Sequence, residues 1–296
     1  MAKNVRIIPR LDIKGSNLVK GIHLEGLRVL GRPESFARHY YENGADELIY
    51  MDVVASLYER SSLCDIIERT AKDIFIPLTV GGGLRTIEDI RRVLRAGADK
   101  VALNTMAIRD PGLIKEAAMK FGSSTIVVAI EAIRQPDGRY LAYTDNGRQH
   151  TGIEVVEWAM RSEALGAGEI MITSVDREGT GSGYDIELTR MVSSRVSIPV
   201  IAHGGAGSPE NIYDVVHSGM ADAVSVASIL HYKAIEFTGC AAIDSKEGNT
   251  EFLKKGTGFS RIKPYTIADI KRHLSDRGIR IRGVKAPLQN ERCAII

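Results

Sequence analysis

The chain contains a long internal repeat. Ile76-Pro-Leu-Thr-Val-Gly-Gly-Gly returns 122 residues later as Ile198-Pro-Val-Ile-Ala-His-Gly-Gly, and Gly44-Ala-Asp-Glu-Leu returns at the same spacing as Gly166-Ala-Gly-Glu-Ile. Solenoid units run roughly 20–50 residues, so this period instead fits a fold of two similar halves. Short β-branched runs read as strands at Arg6–Asp12, Glu47–Val53, Ile76–Gly81, Lys100–Asn104, Thr125–Glu131, Glu169–Ser174, Ile198–His203 and Asp222–Val226. Amphipathic stretches such as Pro33–Gly44, Thr86–Gly97, Gly152–Gly166 and Ser208–Gly219 lie between them. Eight strands, each followed by a helix, predict an α/β chain closed as a (β/α)8 barrel. An open doubly wound sheet shares that alternation, but the half-and-half repeat favours closure.

The barrel is expected to be one domain over residues 1–282. Residues 233–262, with Thr238-Gly-Cys and Gly256-Thr-Gly, read as an excursion before a last helix near Thr266–Arg277; residues 283–296 read as a peripheral tail. The chain's 296 residues can bury a large core without staples. With 39 Lys and Arg against 37 Asp and Glu, the formal net charge of +2 gives no electrostatic case for nucleic acid or a membrane surface. Cys64, Cys240 and Cys293 are far apart and show no metal-ligand spacing. No metal and no cofactor are expected, and the composition fits a cytoplasmic protein without a signal or membrane-length apolar run.

Chemistry concentrates at the strand ends. The turns Gly81-Gly82-Gly83 and Gly204-Gly205-Ala206-Gly207 are each read as opening a helix, where backbone amides can hold phosphate. A tight βα turn explains one such loop equally well. Two copies at the repeat spacing, each followed one strand later by small polar residues (Asn104-Thr105, Ala227-Ser228), point to a substrate with two phosphate ends. Asp12 and Glu131 close opposed strands one and five, on the face where barrel enzymes carry catalysis. Such a pair can donate one proton and remove another. At the other strand ends, Arg6, Glu47, Lys100 and Glu169 fall on inward faces by period-two alternation. They form either a structural plug or a gate across the barrel axis.

These residues resemble the cyclase subunit of imidazole glycerol phosphate synthase over roughly residues 3–282, apart from the late excursion. The matching motifs are Arg6-Ile-Ile-Pro-Arg-Leu-Asp-Ile-Lys, Thr79-Val-Gly-Gly-Gly, Gly97-Ala-Asp-Lys-Val, Gly168-Glu-Ile and Asp176-Arg-Glu-Gly-Thr. The resemblance implies a barrel that takes ammonia from a glutaminase subunit on its N-terminal face. Ammonia would pass the axis and react with a two-phosphate nucleotide, giving imidazole glycerol phosphate in histidine biosynthesis. It implies catalytic roles for Asp12 and Glu131 and a flexible-loop role for Lys20. It assigns the ammonia gate to Arg6, Glu47, Lys100 and Glu169, and the partner interface to Asp99. Substrate and phosphate contacts fall on Gly82, Asn104, Thr173, Asp176, Gly179, Gly204, Gly205 and Ser228.

Four positions depart from that family. Glu131 and Glu178 stand where it has aspartate, His203 replaces a small hydroxyl residue, and Arg10 stands where cysteine is usual. Arg10 should point inward and pair with Asp12 or Glu131, which would hold the acids ionised and disfavour proton donation. These changes are similar to a branch in surface-polysaccharide loci, where the barrel conducts ammonia for a sugar amidotransferase that makes an acetamidino sugar. The sequence leaves cyclisation and sugar amidination open. A non-catalytic phosphate sensor is disfavoured, because a sensor has no use for the gate.

Overall fold

A computed structural model of the protein describes residues 4–53, 61–238 and 262–283. Twelve strands are present among the described residues: β1 (Arg6–Lys14), β2 (Asn17–Ile22), β3 (Glu25–Gly31), β4 (Leu48–Asp52), β5 (Leu78–Gly81), β6 (Lys100–Leu103), β7 (Ile126–Arg134), β8 (Tyr140–Thr144), β9 (Gln149–Glu154), β10 (Glu169–Ser174), β11 (Val200–His203) and β12 (Ala223–Val226). Eight of them, in the order β1-β4-β5-β6-β7-β10-β11-β12, pair in parallel, and the β12–β1 and β7–β10 ladders close the circle. The closed barrel expected from the sequence is the observed architecture.

The remaining four strands form two hairpins. β2–β3 folds back on the end of β1, with Asp12 opposite Val19, and β8–β9 folds back on the end of β7, with Glu131 opposite Tyr143. Both hairpins escaped the sequence reading. They occupy equivalent places in the two half-barrels, so the repeat extends to the acid-bearing strands, which continue past the barrel rim.

The helices are α1 (Pro33–Glu42), α2 (Ser61–Asp73), α3 (Ile87–Arg95), α4 (Thr105–Arg109), α5 (Gly112–Phe121), α6 (Val155–Ala164), α7 (Ile186–Ser193), α8 (Pro209–His217), α9 (Ser228–Thr238) and α10 (Ile267–Asp276). Their starts are written in the sequence. Thr86 and Asp89 form a reciprocal cap on α3, Thr266 and Asp269 do the same on α10, and Ser208 caps α8 ahead of Pro209. Because α9 runs through Thr238, the excursion expected from residue 233 begins no earlier than 239. Its remainder, with Cys240, and the tail beyond Gly283, with Cys293, lie outside the described residues. Cys64 sits half-buried on α2.

Two apolar layers divide along the alternation of β1. Ile7, Leu11 and Ile13 join the large core between barrel and helices. Ile8 instead faces inward with Ile49, Ala102, Val127, Ala129, Met171, Ile201 and Ala223, filling the barrel. The C-terminal segment is tied beneath. Asp46 accepts hydrogen bonds from the Ile7 backbone N–H (2.8 Å), the buried Lys271 Nζ (2.8 Å) and Arg282 Nε (2.9 Å). Among the described residues no helix is long and apolar enough to cross a membrane.

Candidate active site

The charged ring assembles at the bottom of the barrel. Arg6 Nη1 donates to Glu47 Oε1 (2.7 Å) and to Glu169 Oε1 (3.0 Å), and Lys100 Nζ donates to Glu47 Oε2 (3.2 Å) and Glu169 Oε1 (3.1 Å). Going round the barrel the charges alternate in sign, so each cation touches two anions. This pairing offsets much of the desolvation cost of charges held on the axis. Burial works against the Arg6 cation, but Glu169 and Glu47 more than compensate and raise its proton affinity. Directly above lies the inward apolar layer.

Above that layer, at the opposite mouth, sit the acids. Arg10 Nε donates to Asp12 Oδ1 at 2.9 Å, with both side chains buried. Burial by itself would raise the Asp12 carboxyl. The charges of Arg10 and Lys20, with the Arg10 hydrogen bond, outweigh it and hold Asp12 below the usual carboxylate range. Glu131 behaves oppositely. It keeps one edge open to the mouth but is closely surrounded by protein, and this burial pushes it up to about 7 against a pull downward by the Gly147 backbone N–H at 2.8 Å. Arg10 is therefore paired with Asp12, and the expectation that Arg10 would hold both acids ionised is corrected: Glu131 can carry a proton near neutral pH. Two carboxyls whose environments drive their proton affinities apart form a base and an acid.

The phosphate candidates separate into two places. A cavity of about 130 Å³ is lined by Gly82, Gly83, Asn104 and Thr105 together with Arg10, Asp52, Glu131 and Asn146. A narrow pocket holds Lys20, Glu178, Gly179, His203, Gly204, Gly205 and Ser228. The glycine turns do not themselves open helices, as the sequence had suggested. α3 starts after Thr86 and α8 after Ser208, while the helices that begin at these pockets are α4 and α9, one strand later. Glycine is demanded for a backbone reason: at Gly205 (φ +102°) a Cβ would lie 2.1 Å from the Gly183 carbonyl oxygen, and at Gly82 (φ +98°) 2.2 Å from that of Asp52. Gly205→Ala is expected to cost at least about 1–2 kcal/mol from the left-handed backbone alone. It should also remove one of two equivalents in a phosphate titration. Unchanged urea denaturation, with both equivalents retained, would refute this account of the turn.

Lys20 lies on β2, buried, with its ammonium against the Glu178 carboxylate; Glu178 Oε2 also accepts the Leu24 N–H at 3.0 Å. The hairpin is thus pinned to the loop after β10, over the Gly204 pocket. Thr173 is inward, buried, and paired in register with Glu131 and His203. Asn104 lies beside Glu131 and contributes a hydrogen bond that lowers its proton affinity. Asp176 is not brought to either pocket. Its Oδ2 accepts the Arg134 N–H (2.9 Å) and it lines an outer groove of about 600 Å³ with Tyr140 and Tyr184. Asp99 is at the N-terminal face, where Oδ2 accepts the Leu78 N–H (2.8 Å) beside Phe75, which is 80% exposed.

Sequence reasoning missed Asp52, Asp145 and Asn146 as cavity-lining residues. The last two form the β8–β9 turn, both at positive φ, and Asp145-Asn146-Gly147 is a hairpin signal that could have found them. Among the described residues no group of three or more His, Cys, Asp or Glu is placed to hold a metal ion.

Comparison with known proteins bears on this arrangement. The model of the family described as "Histidine biosynthesis protein" matches residues 6–236. The chain belongs to that family. Among curated relatives, imidazole glycerol phosphate synthase subunit HisF of Legionella pneumophila is 59% identical over 207 residues, 70% of this chain and 98% of the relative. The proteins of the same name from Dehalococcoides mccartyi (strain ATCC BAA-2266 / KCTC 15142 / 195) and Methanocaldococcus jannaschii are 45% and 44% identical, each over 94% of this chain and 98% of theirs. All three relatives carry the synthase name and none a sugar-modifying one, so the amidination alternative has no support among them.

Proposed function

We propose that the chain is the ammonia-using cyclase subunit of an imidazole glycerol phosphate synthase. It acts with a glutaminase docked on the N-terminal face around Asp99 and Phe75, and it works in the cytoplasm. The observation that carries the reading is the order of groups along one axis: a ring of alternating charges, an apolar layer, then an ionised Asp12 and a protonatable Glu131. An apolar layer penalises ammonium far more than neutral ammonia. The ring is then the place where ammonia enters and the layer the stretch it crosses unprotonated. At the mouth, ammonia meets a nucleotide whose two phosphates suit the Gly82–Asn104 and Gly204–Ser228 turns. Addition of ammonia to a carbonyl carbon makes an N–C bond and leaves excess protons on nitrogen, while water must leave from carbon. The same nitrogen then closes the ring on the formimino carbon, whose bond to the other nitrogen breaks, so that the carboxamide ribotide departs as an amine carrying a proton. Asp12, kept as carboxylate, takes a proton; Glu131, pushed up to about 7 by burial, gives one to the departing oxygen.

The reading is tested with the purified chain, the phosphoribosyl-formimino carboxamide nucleotide and an ammonium salt. Imidazole glycerol phosphate should form without any partner, and glutamine should replace ammonium only when the glutaminase is added. Lys100→Met should depress the glutamine-dependent rate more than the ammonium-dependent one, because the ring loses two of its four contacts. No turnover with ammonium at any pH between 6 and 9 would overturn the cyclase reading.

A further inference from the structure

His203 ends β11 and is 5% exposed. Its Nδ1 lies 3.2 Å from the Ser225 carbonyl oxygen. A carbonyl only accepts, so the ring proton sits on Nδ1, and a neutral imidazole then presents a bare lone pair at Nε2. Burial, reinforced by the nearby Arg10 cation, drives the ring's proton affinity well below the usual histidine range and keeps it neutral. Nε2 is buried and has no hydrogen-bond partner. Buried acceptors are almost always satisfied, and leaving one unmet is costly.

The surroundings specify what the missing partner is. His203 lines the same narrow pocket as Gly204, Gly205 and Ser228, so a ligand whose phosphate sits on those backbone turns brings its next group alongside the imidazole. The Lys20 ammonium on the pocket wall is already engaged by Glu178. A phosphate dianion has no proton to offer a lone pair, whereas an alcohol beside that phosphate does. We propose that His203 is a specificity-determining contact, accepting a hydrogen bond from a hydroxyl of the substrate's sugar-phosphate end next to the phosphate seated at Gly204–Gly205 and Ser228. This rests on the cyclase reading for the identity of the ligand, but its test does not require turnover.

The probes are glycerol 3-phosphate, propyl phosphate and inorganic phosphate, titrated calorimetrically against the full chain. Wild type should bind glycerol 3-phosphate roughly 3- to 10-fold more tightly than propyl phosphate, the range of one neutral hydrogen bond. In His203→Ala that ratio should fall to about one, with affinity for inorganic phosphate unchanged. Should the variant fold poorly, the wild-type imidazole reports instead. Its Nε2 ¹⁵N resonance should shift on adding glycerol 3-phosphate and stay in place with propyl phosphate. Equal affinities in wild type, a preference that survives in His203→Ala, an immobile resonance, or no binding of either organic phosphate would each overturn the assignment. A hydroxyl preference in a chain without cyclase turnover would leave the His203 contact standing and fell the cyclase reading alone.

Discussion

Arg10→Cys is expected to cost the fold about 3–5 kcal/mol, because it removes one partner of a buried ion pair and strands the other. The stranded group is Asp12, buried and bonded at 2.9 Å to the guanidinium that would be lost. The effect has a definite pH dependence. A carboxyl whose proton affinity is lowered on folding contributes stability above its unfolded value, about 3.9, and loses it as pH falls through the folded value. The gap between wild type and Arg10→Cys should therefore be wide at pH 7 and close below about pH 4. Arg10→Cys with Asp12→Asn should recover much of the loss, since the uncompensated charge is gone; the two changes are strongly non-additive. Cyclase turnover should fall in Arg10→Cys, even though cysteine is the residue that the family resemblance leads one to expect, because Lys20 is then left to oppose burial without Arg10 and less of Asp12 is in the carboxylate form that takes the proton. Urea denaturation of wild type, Arg10→Cys, Asp12→Asn and the double variant at pH 7 and at pH 3 measures this. A single variant within about 1 kcal/mol of wild type at pH 7 would show that Arg10 is solvated differently.

The sequence revealed some parts of this site and hid others, for physical reasons. The charged ring was legible because inward and outward faces alternate strictly along a strand, so Arg6, Lys100 and Glu169 at strand starts had to point the same way as residues two and four further on. The first hairpin was hidden: its turn is His23-Leu24, both at positive φ (51° and 61°), and neither residue type signals such a turn. Lys20 was consequently placed on a loop, although it lies on β2 and is pinned by Glu178. Asp176 was credited to the substrate because its motif matched, but which side of a loop a carboxylate faces is not set by any periodicity. The partner of Arg10 was narrowed to two acids by strand direction. Only the three-dimensional contact, Arg10 Nε on Asp12 Oδ1, decided between them, and burial raises Glu131 where the sequence had led one to expect both acids held ionised.

Glu131→Gln is expected to lower kcat by about 10²–10⁴, the usual contribution of a positioned proton donor. Glutamine keeps the shape and can still accept the Gly147 N–H that holds Glu131 Oε2 at 2.8 Å, so the loss reports the proton rather than the packing. The wild-type rate should itself carry the signature. With Glu131 pushed up to about 7 by burial, its acid form is present below that pH and disappears above it. Turnover with saturating ammonia should therefore decline between about pH 7 and 8, and the residual activity of Glu131→Gln should be flat across that window. Stability also falls with rising pH, over a lower window. Ionising this carboxyl costs more in the folded chain than in the unfolded one, so wild type loses stability as pH rises from the unfolded value, about 4.3, to about 7. Glu131→Gln removes that cost, and its Tm should exceed that of wild type at pH 8 and match it near pH 4. Glu131→Asp withdraws the carboxyl by one methylene and gives up the Gly147 tether; it should keep the pH-dependent decline while losing rate. A pH-independent wild-type rate between 6 and 9, with ammonia held saturating, would remove Glu131 as the proton donor and leave the acid role to a group outside the Asp12–Glu131 pair.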